Sequence, residues 1–208
     1  MHSPDIPDIV IHRLPLYLRT LTILEEQGQA ITSSHELGAH LDISPAQIRK
    51  DLSYFGEFGK QGMGYEVGFL ISQLKRILHL SHAWDVVLVG IGDLGRALAS
   101  HSGLKRWHFR IVALFDKDPQ VIGQSLGPLT VGDVADLHAV VSSRGIKLAI
   151  IAVPAEEAQG VADTLIEAGV RAILNYAPTP VNVPENVRLH SIDPVASLQS
   201  MAYYLNEE

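Results

Sequence analysis

The sequence predicts an α/β protein in two parts, a helical N-terminal half and a C-terminal half built on a parallel sheet. Three observations predict it. Residues 86–116 run from an apolar stretch, Val86-Val87-Leu88-Val89, through Gly90-Ile91-Gly92-Asp93-Leu94-Gly95 into a helical segment, then along a second apolar strand, Arg110 to Phe115, closed by Asp116. From residue 85 onward strands, glycine turns and helices alternate, as in a parallel sheet with helical crossovers. Between Ser33 and Gln47 two capping boxes open two helices across a short turn. The pattern changes near Ser81 to Trp84, which places the boundary there.

Leu14, Tyr17, Leu18, Leu21 and Leu24 recur at helical spacing, and Gly28 ends that helix. Ser33 and Glu36 open a short helix that runs to Leu41. Ser44 and Gln47 open the next, with Pro45 at the first helical position, where its missing N–H costs nothing, and Ile43 and Ile48 placed as a hydrophobic staple. Two helices joined this way form a helix-turn-helix. On the second, Ile48, Leu52 and Phe55 share the face expected to be buried, with Asp51 beside them in a structural role. Ala46, Lys50 and Ser53 lie opposite, Gln47, Arg49 and Tyr54 flank them, and Ser44 sits at the start. A major-groove helix requires such a set: cations for phosphates, amide and guanidinium groups for base edges, hydroxyls for either. From Gly56 to Val67 four glycines surround a polar tip, Lys60 and Gln61, the pattern of a β-hairpin wing that approaches DNA. Residues 1–80 are therefore expected to form a winged-helix DNA-binding domain. A helical dimerisation or lid domain is the plainer alternative, since residues 1–80 hold seven basic and nine acidic side chains.

In the C-terminal half each glycine of the turn has its own task. Gly90 permits the tight turn, Gly92 leaves room for a pyrophosphate, and Gly95 lets the helix pack on the sheet, whose N-terminal amides then hold the phosphates beside Ile91, Asp93 and Leu94. Asp116 follows Gly95 by 21 residues, where a carboxylate accepts from both ribose hydroxyls and repels a 2′-phosphate, which favours NAD(H) over NADP(H). The alternative is a glycine turn that serves packing alone. Asp93 brings a negative charge close to the expected pyrophosphate. Leu148 to Ala152 reads as a buried strand, Glu156 to Ala168 as a helix stopped by Gly169, and Ala172 to Asn175 as the next strand, so residues 85–190 are expected to form a Rossmann-type NAD(H)-binding domain. In residues 191–208 a last helix carries Val195, Leu198, Ala202 and Leu205 as an apolar stripe, widened by Met201, Tyr203 and Tyr204. Such a helix needs burial, on its own sheet or on another chain.

Composition narrows the function. No run approaches the roughly 18 apolar residues of a membrane span, and the N-terminus lacks the basic-then-apolar order of a signal peptide, so a cytoplasmic protein is expected. There is no cysteine, which excludes disulfides and thiolate metal sites, and the spacing of the ten histidines suggests no metal centre. A net charge of −7 argues against a globally basic nucleic-acid binder but leaves room for a local positive surface.

Together Gln47-Ile48-Arg49-Lys50-Asp51-Leu52-Ser53-Tyr54-Phe55-Gly56, then Phe58-Gly59 and Gly62-x-Gly64-Tyr65-x-Val67, closely resemble the signature of the Rex family of redox-sensing transcriptional repressors. The resemblance continues through Gly90 to Leu98, Phe115-Asp116-x-Asp118-Pro119, Ala152-Val153-Pro154, Asn175-Tyr176-Ala177-Pro178, Asp193, Leu198-Gln199 and Tyr203-Tyr204-Leu205. It implies a homodimer with paired winged helices and a C-terminal helix swapped onto the partner. It implies that NADH releases the operator while NAD+ permits binding. It implies that Val153 and Pro154 line the nicotinamide with Asn175 to Pro178 nearby, and that Arg19 and Asp193 make a cofactor-sensitive contact between domains. Three positions depart from the family pattern: His101 stands where many members have a tyrosine that shields the nicotinamide, Gln61 where an arginine often occupies the wing tip, and Asp93 where the residue is commonly uncharged or basic.

The reading that results is a repressor of double-stranded DNA with an inverted-repeat operator, sensing the NADH/NAD+ ratio, without catalytic residues. Two other readings fit part of the pattern. A small NAD-dependent oxidoreductase would need a substrate domain, and the 128 residues beyond the first 80 suffice for one dinucleotide domain only. A regulator responding to CoA or another nucleotide would use a similar glycine turn, but CoA carries a 3′-phosphate that Asp116 would repel.

Overall fold

The structure, a computed structural model, describes residues 6–60 and 63–205, and the chain divides after His82 into two compact units. In the first, α1 (Asp8–Glu26) buries Val10, Leu14, Tyr17, Leu18, Leu21 and Leu24 along one face, and its exposed Pro15 does not end it. There follow β1 (Ile31–Thr32), α2 (Ser34–Leu41), α3 (Pro45–Ser53), β2 (Gly59–Lys60), β3 (Gly64–Glu66) and α4 (Val67–Ile77). The β3 strand pairs antiparallel with β1 on one side and β2 on the other, which makes the wing. Gly64 has φ +76°, and any Cβ there would run into the Thr32 carbonyl, so only glycine fits where β3 crosses β1. Leu37, Ile48, Leu52, Leu70, Ile71 and Leu74 complete this core. Phe55, expected on the buried face of α3, is half-buried: the helix stops at Ser53 with Tyr54 as its C-cap, so helical spacing no longer carries Phe55 inward.

The second unit alternates strand and helix: β4 (Trp84–Val89), α5 (Asp93–Ala99), α6 (Ser102–Arg106), β5 (Phe109–Asp116), β6 (Ser125–Leu126), β7 (Leu129–Asp133), α7 (Leu137–Arg144), β8 (Leu148–Ile151), α8 (Ala158–Glu167), β9 (Ala172–Asn175), β10 (Arg188–Ser191) and α9 (Pro194–Ala202). The sheet has the order β10-β9-β8-β4-β5-β7-β6, parallel throughout except for β6. Alternate residues of its strands feed two cores. Val87, Val89, Phe115, Ala149 and Ile151 meet α7 and α8 on one face, while Val86, Leu88, Leu114 and Ile150 meet Leu98 and Leu104 of α5 and α6 on the other. Strand order reverses at β4, whose neighbours β5 and β8 are reached by crossovers on opposite sides, so a crevice opens at its C-terminal end. On α9 no residue is buried; Val195, Leu198 and Met201 are each 60% or more exposed. No helix among the described residues is long and apolar enough to cross a membrane.

Candidate functional site

The glycine turn lies at that crevice. Gly90 has φ +94°, and a Cβ would strike the Ala152 carbonyl of the neighbouring segment. A Cβ on Gly95 would strike the Gly90 carbonyl, so the first turn of α5 is seated against the end of β4. Gly92 is different. Nothing lies within 4 Å of its missing Cβ, so the protein does not require a glycine there for its own packing, and the space belongs to the cleft. The cleft measures about 540 Å³, within the usual range for small-molecule sites.

Most of the expected cofactor residues line it: Gly90, Ile91, Gly92, Asp93, Leu94, Asp116, Val153, Pro154 and Tyr176. Gly95 supports it from beneath. Asp116, at the end of β5, is fixed by two backbone donors, Ile91 N–H to Oδ2 at 2.6 Å and Asp118 N–H to Oδ1 at 2.9 Å. These bonds aim the carboxylate at the crevice and tie the turn to the next strand. Two expected residues do not reach the cleft. Asn175 is fully buried, and its side-chain amide holds the following loop, donating to the Ala177 and Thr179 carbonyls and accepting from Ala177 N–H. His101 is exposed in the break between α5 and α6, with its ring over Gly103. Sequence reasoning assigned no cofactor role to Lys117, Asp118, Val121, Val134, Glu157 and Val161, which also line the cleft. Lys117 and Asp118 follow the last residue of β5, so the signal was the continuation past Asp116.

The helix-turn-helix is built on side-chain caps. Ser33 Oγ accepts from Glu36 N–H and Ser44 Oγ from Gln47 N–H. On α3, Ala46, Arg49, Lys50 and Ser53 are exposed, while Gln47 and Tyr54 are half-buried. Arg49 donates to Ser34 Oγ at 2.9 Å, and both border a groove between α2, α3 and the wing. Gln47 donates to Asp51 at 2.6 Å, so one of its two amide N–H groups is spent within the domain. Asp51 is fully buried and also receives Arg13 and the Tyr17 hydroxyl. Burial pushes the Asp51 carboxyl up, but the bonds from Arg13, Tyr17 and Gln47 outweigh it and hold the group below the usual carboxylate range. Burial and then the bond to Asp51 push the Tyr17 phenol up. Gly59 and Lys60 form β2 of the wing; Gln61 lies outside the described residues. Arg19 is exposed on α1, and the Asp193 side chain caps α9 by accepting from Val195 and Ala196 N–H.

Comparison with known proteins adds three findings. Residues 5–53 match the family described as "Putative DNA-binding protein N-terminus", and residues 81–179 the family "CoA binding domain". The chain is 57% identical over 209 residues to the redox-sensing transcriptional repressor Rex of Chloroflexus aurantiacus, covering 100% of this chain and 99% of the relative. Among solved structures it is similar to RSP, a Rex-family repressor. With NAD+ and operator DNA, RSP superposes with TM-score 0.92 at 34% identity, covering 97% of this chain and 93% of RSP; with NADH the values are 0.88, 32%, 97% and 95%.

Proposed function

From the premise that the chain belongs to the Rex family of redox-sensing transcriptional repressors, we propose that it represses as a cytoplasmic homodimer on an inverted-repeat operator and lets go when NADH fills the cleft of its second unit. It is a regulator and not an enzyme. One observation carries the cofactor reading: Gly92, which the protein's own packing does not require, opens onto the same cleft into which Asp116 is aimed.

The residues divide the work. Amides from Gly92 to Leu94 and the open space at Gly92 receive the pyrophosphate, while the Ile91 N–H holds Asp116, which receives the ribose diol. Val153, Pro154 and Tyr176 supply a largely apolar wall for the nicotinamide. When bound, the cofactor supplies one variable, the charge of that ring, which is positive when oxidised and neutral when reduced. An apolar wall favours the neutral ring because desolvating a charge is costly. The resulting difference in affinity bounds how far the dimer shifts between DNA-competent and incompetent states. Arg19 and Asp193 are proposed to make the contact that differs between those states. Asn175 acts through the loop it holds, and His101, at the α5–α6 break, is the proposed counterpart of the tyrosine that shields the nicotinamide in many family members. On the DNA side, Ser44, Ala46, Arg49, Lys50, Ser53 and Tyr54 form the reading surface, Gln47 offers its carbonyl oxygen, and Lys60 and Gln61 are further DNA-contact candidates, Gln61 lying outside the described residues. The exposed apolar face of α9 supports a swap onto the partner subunit.

The test is binding to a labelled inverted-repeat operator at fixed salt, with NADH, NAD+ or CoA added separately. Release by NADH alone is expected; equal effects of NADH and NAD+, or release by CoA, would sink the reading.

A further inference from the structure

The cleft is poor in positive charge for a ligand that carries a pyrophosphate. Asp93, Asp116, Asp118 and Glu157 line it, and Lys117 is the one cation among the described residues that do. That cation is already engaged: Lys117 Nζ lies 2.7 Å from Glu157 Oε1. Lys117 follows the last residue of β5, and Glu157 closes the helical turn after β8; β4, with its glycine turn, lies between those two strands. The pair therefore spans the mouth of the crevice, from the Asp116 side to the Val153–Pro154 side. The lysine side chain is 65% exposed and the glutamate 21%, so the acid is seated and the lysine free to swing. The bond that Lys117 donates to Glu157 raises its ammonium above the ordinary lysine range. An exposed pair of this kind is weak, and a phosphate, which accepts charge-assisted bonds strongly, competes well for the lysine.

Resting on the cofactor reading above, we propose that Lys117 is a phosphate anchor held in reserve by Glu157: on binding, the ammonium exchanges the carboxylate for a phosphate of the dinucleotide. Glu157 then sets how much affinity is withheld. Two groups share this chemistry, the pyrophosphate common to all such cofactors and the 2′-phosphate of NADPH.

The experiment uses the full chain as wild type, E157Q, K117M and the double variant. Each is titrated with NADH and with NADPH by nicotinamide fluorescence at one low salt concentration, with a thermal melt confirming that it folds. Glu157→Gln is expected to tighten NADH about two- to fivefold and Lys117→Met to weaken it by a similar factor. In the Lys117→Met background, Glu157→Gln is expected to change nothing, because the acid acts through the lysine. An equal gain for both cofactors in E157Q assigns the pyrophosphate as the anchored group; a gain confined to NADPH, which alone carries a 2′-phosphate, assigns that group. Unchanged affinity for both cofactors in either single variant overturns the proposal. So does the same gain from Glu157→Gln with and without Lys117, which would make the glutamate a plain repulsive charge. Wild type that binds no NADH overturns the cofactor reading itself, a result distinct from any difference among the variants.

Discussion

Arg13 on α1 and Asp51 on α3, 38 residues apart, are joined by two hydrogen bonds of 2.6 and 2.8 Å. The bond fixes the roll of α3, and with it the direction in which Arg49 and Lys50 point. Asp51→Ala leaves the guanidinium and the Tyr17 hydroxyl without their acceptor at a buried position. A stability loss of about 3 kcal/mol is expected in urea unfolding of the first unit. Operator affinity should fall with it while NADH titration of the second unit is unchanged; a loss confined to NADH binding would contradict this assignment.

The same carboxylate sets an acid limit. Its pKa in the folded chain lies below its unfolded value, so the stabilisation is present above roughly pH 4 and is lost as pH falls through the folded pKa. Urea unfolding repeated between roughly pH 5 and pH 2 should show wild type losing stability steeply, with a shallower slope in Asp51→Asn. Parallel slopes would remove Asp51 from the acid response.

Gly92 and Gly95 should separate binding from folding. A valine at Gly92 projects into open cleft, so the melt is expected to hold while NADH binding and NADH-triggered release are abolished. A valine at Gly95 meets the Gly90 carbonyl, and a folding loss of about 1–3 kcal/mol is expected. If Gly92→Val lost stability and kept NADH binding, the turn would be a packing device.

Lys50→Ala removes an exposed cation from α3. Operator binding is expected to weaken by a similar factor for matched and mismatched sequences, with the slope of log K against log salt reduced by about one. A change in sequence preference without a change in slope would make Lys50 a base reader.

Leu198→Asp charges the exposed face of α9, which is 64% accessible at that residue. Sedimentation should move from twice the 22.7 kDa chain mass to the chain mass itself. A dimer that survives would place its interface elsewhere.

The parts of this fold that were legible are those in which a local rule acts alone. Val86 to Val89 and Ala172 to Asn175 are strands because short β-branched or apolar runs lie next to a glycine signal, Gly90 after the first and Gly169 before the second, and Ser33 and Ser44 cap helices as their sequence positions demand. The two-residue strands β1 and β6 carry no period to detect, and their pairing is decided by partners elsewhere in the chain. The break between α5 and α6, which exposes His101, leaves no proline or glycine at the junction itself. At the site, Gly90, Gly92 and Asp116 were readable because backbone geometry dictates them. Asp51 was read as structural, but its partner Arg13 and the engagement of Gln47 were not, since each depends on contacts between helices. Lys117 and Glu157 were missed for the same reason: their meeting is a property of the sheet order, not of either local segment.

The bond from Ile91 N–H to Asp116 has an evolutionary consequence. Ile91 is fully buried, so its amide has no water to turn to if the carboxylate disappears. A lineage drifting toward a 2′-phosphorylated cofactor would start by losing this acid, and that first step strands a buried donor at a penalty of about 1–3 kcal/mol. The intermediate genotype is therefore handicapped in its turn before it gains anything in ligand choice. Two coordinated substitutions are needed where an exposed acid would require one, so preference for the ribose diol should be slow to erode among descendants of this sequence.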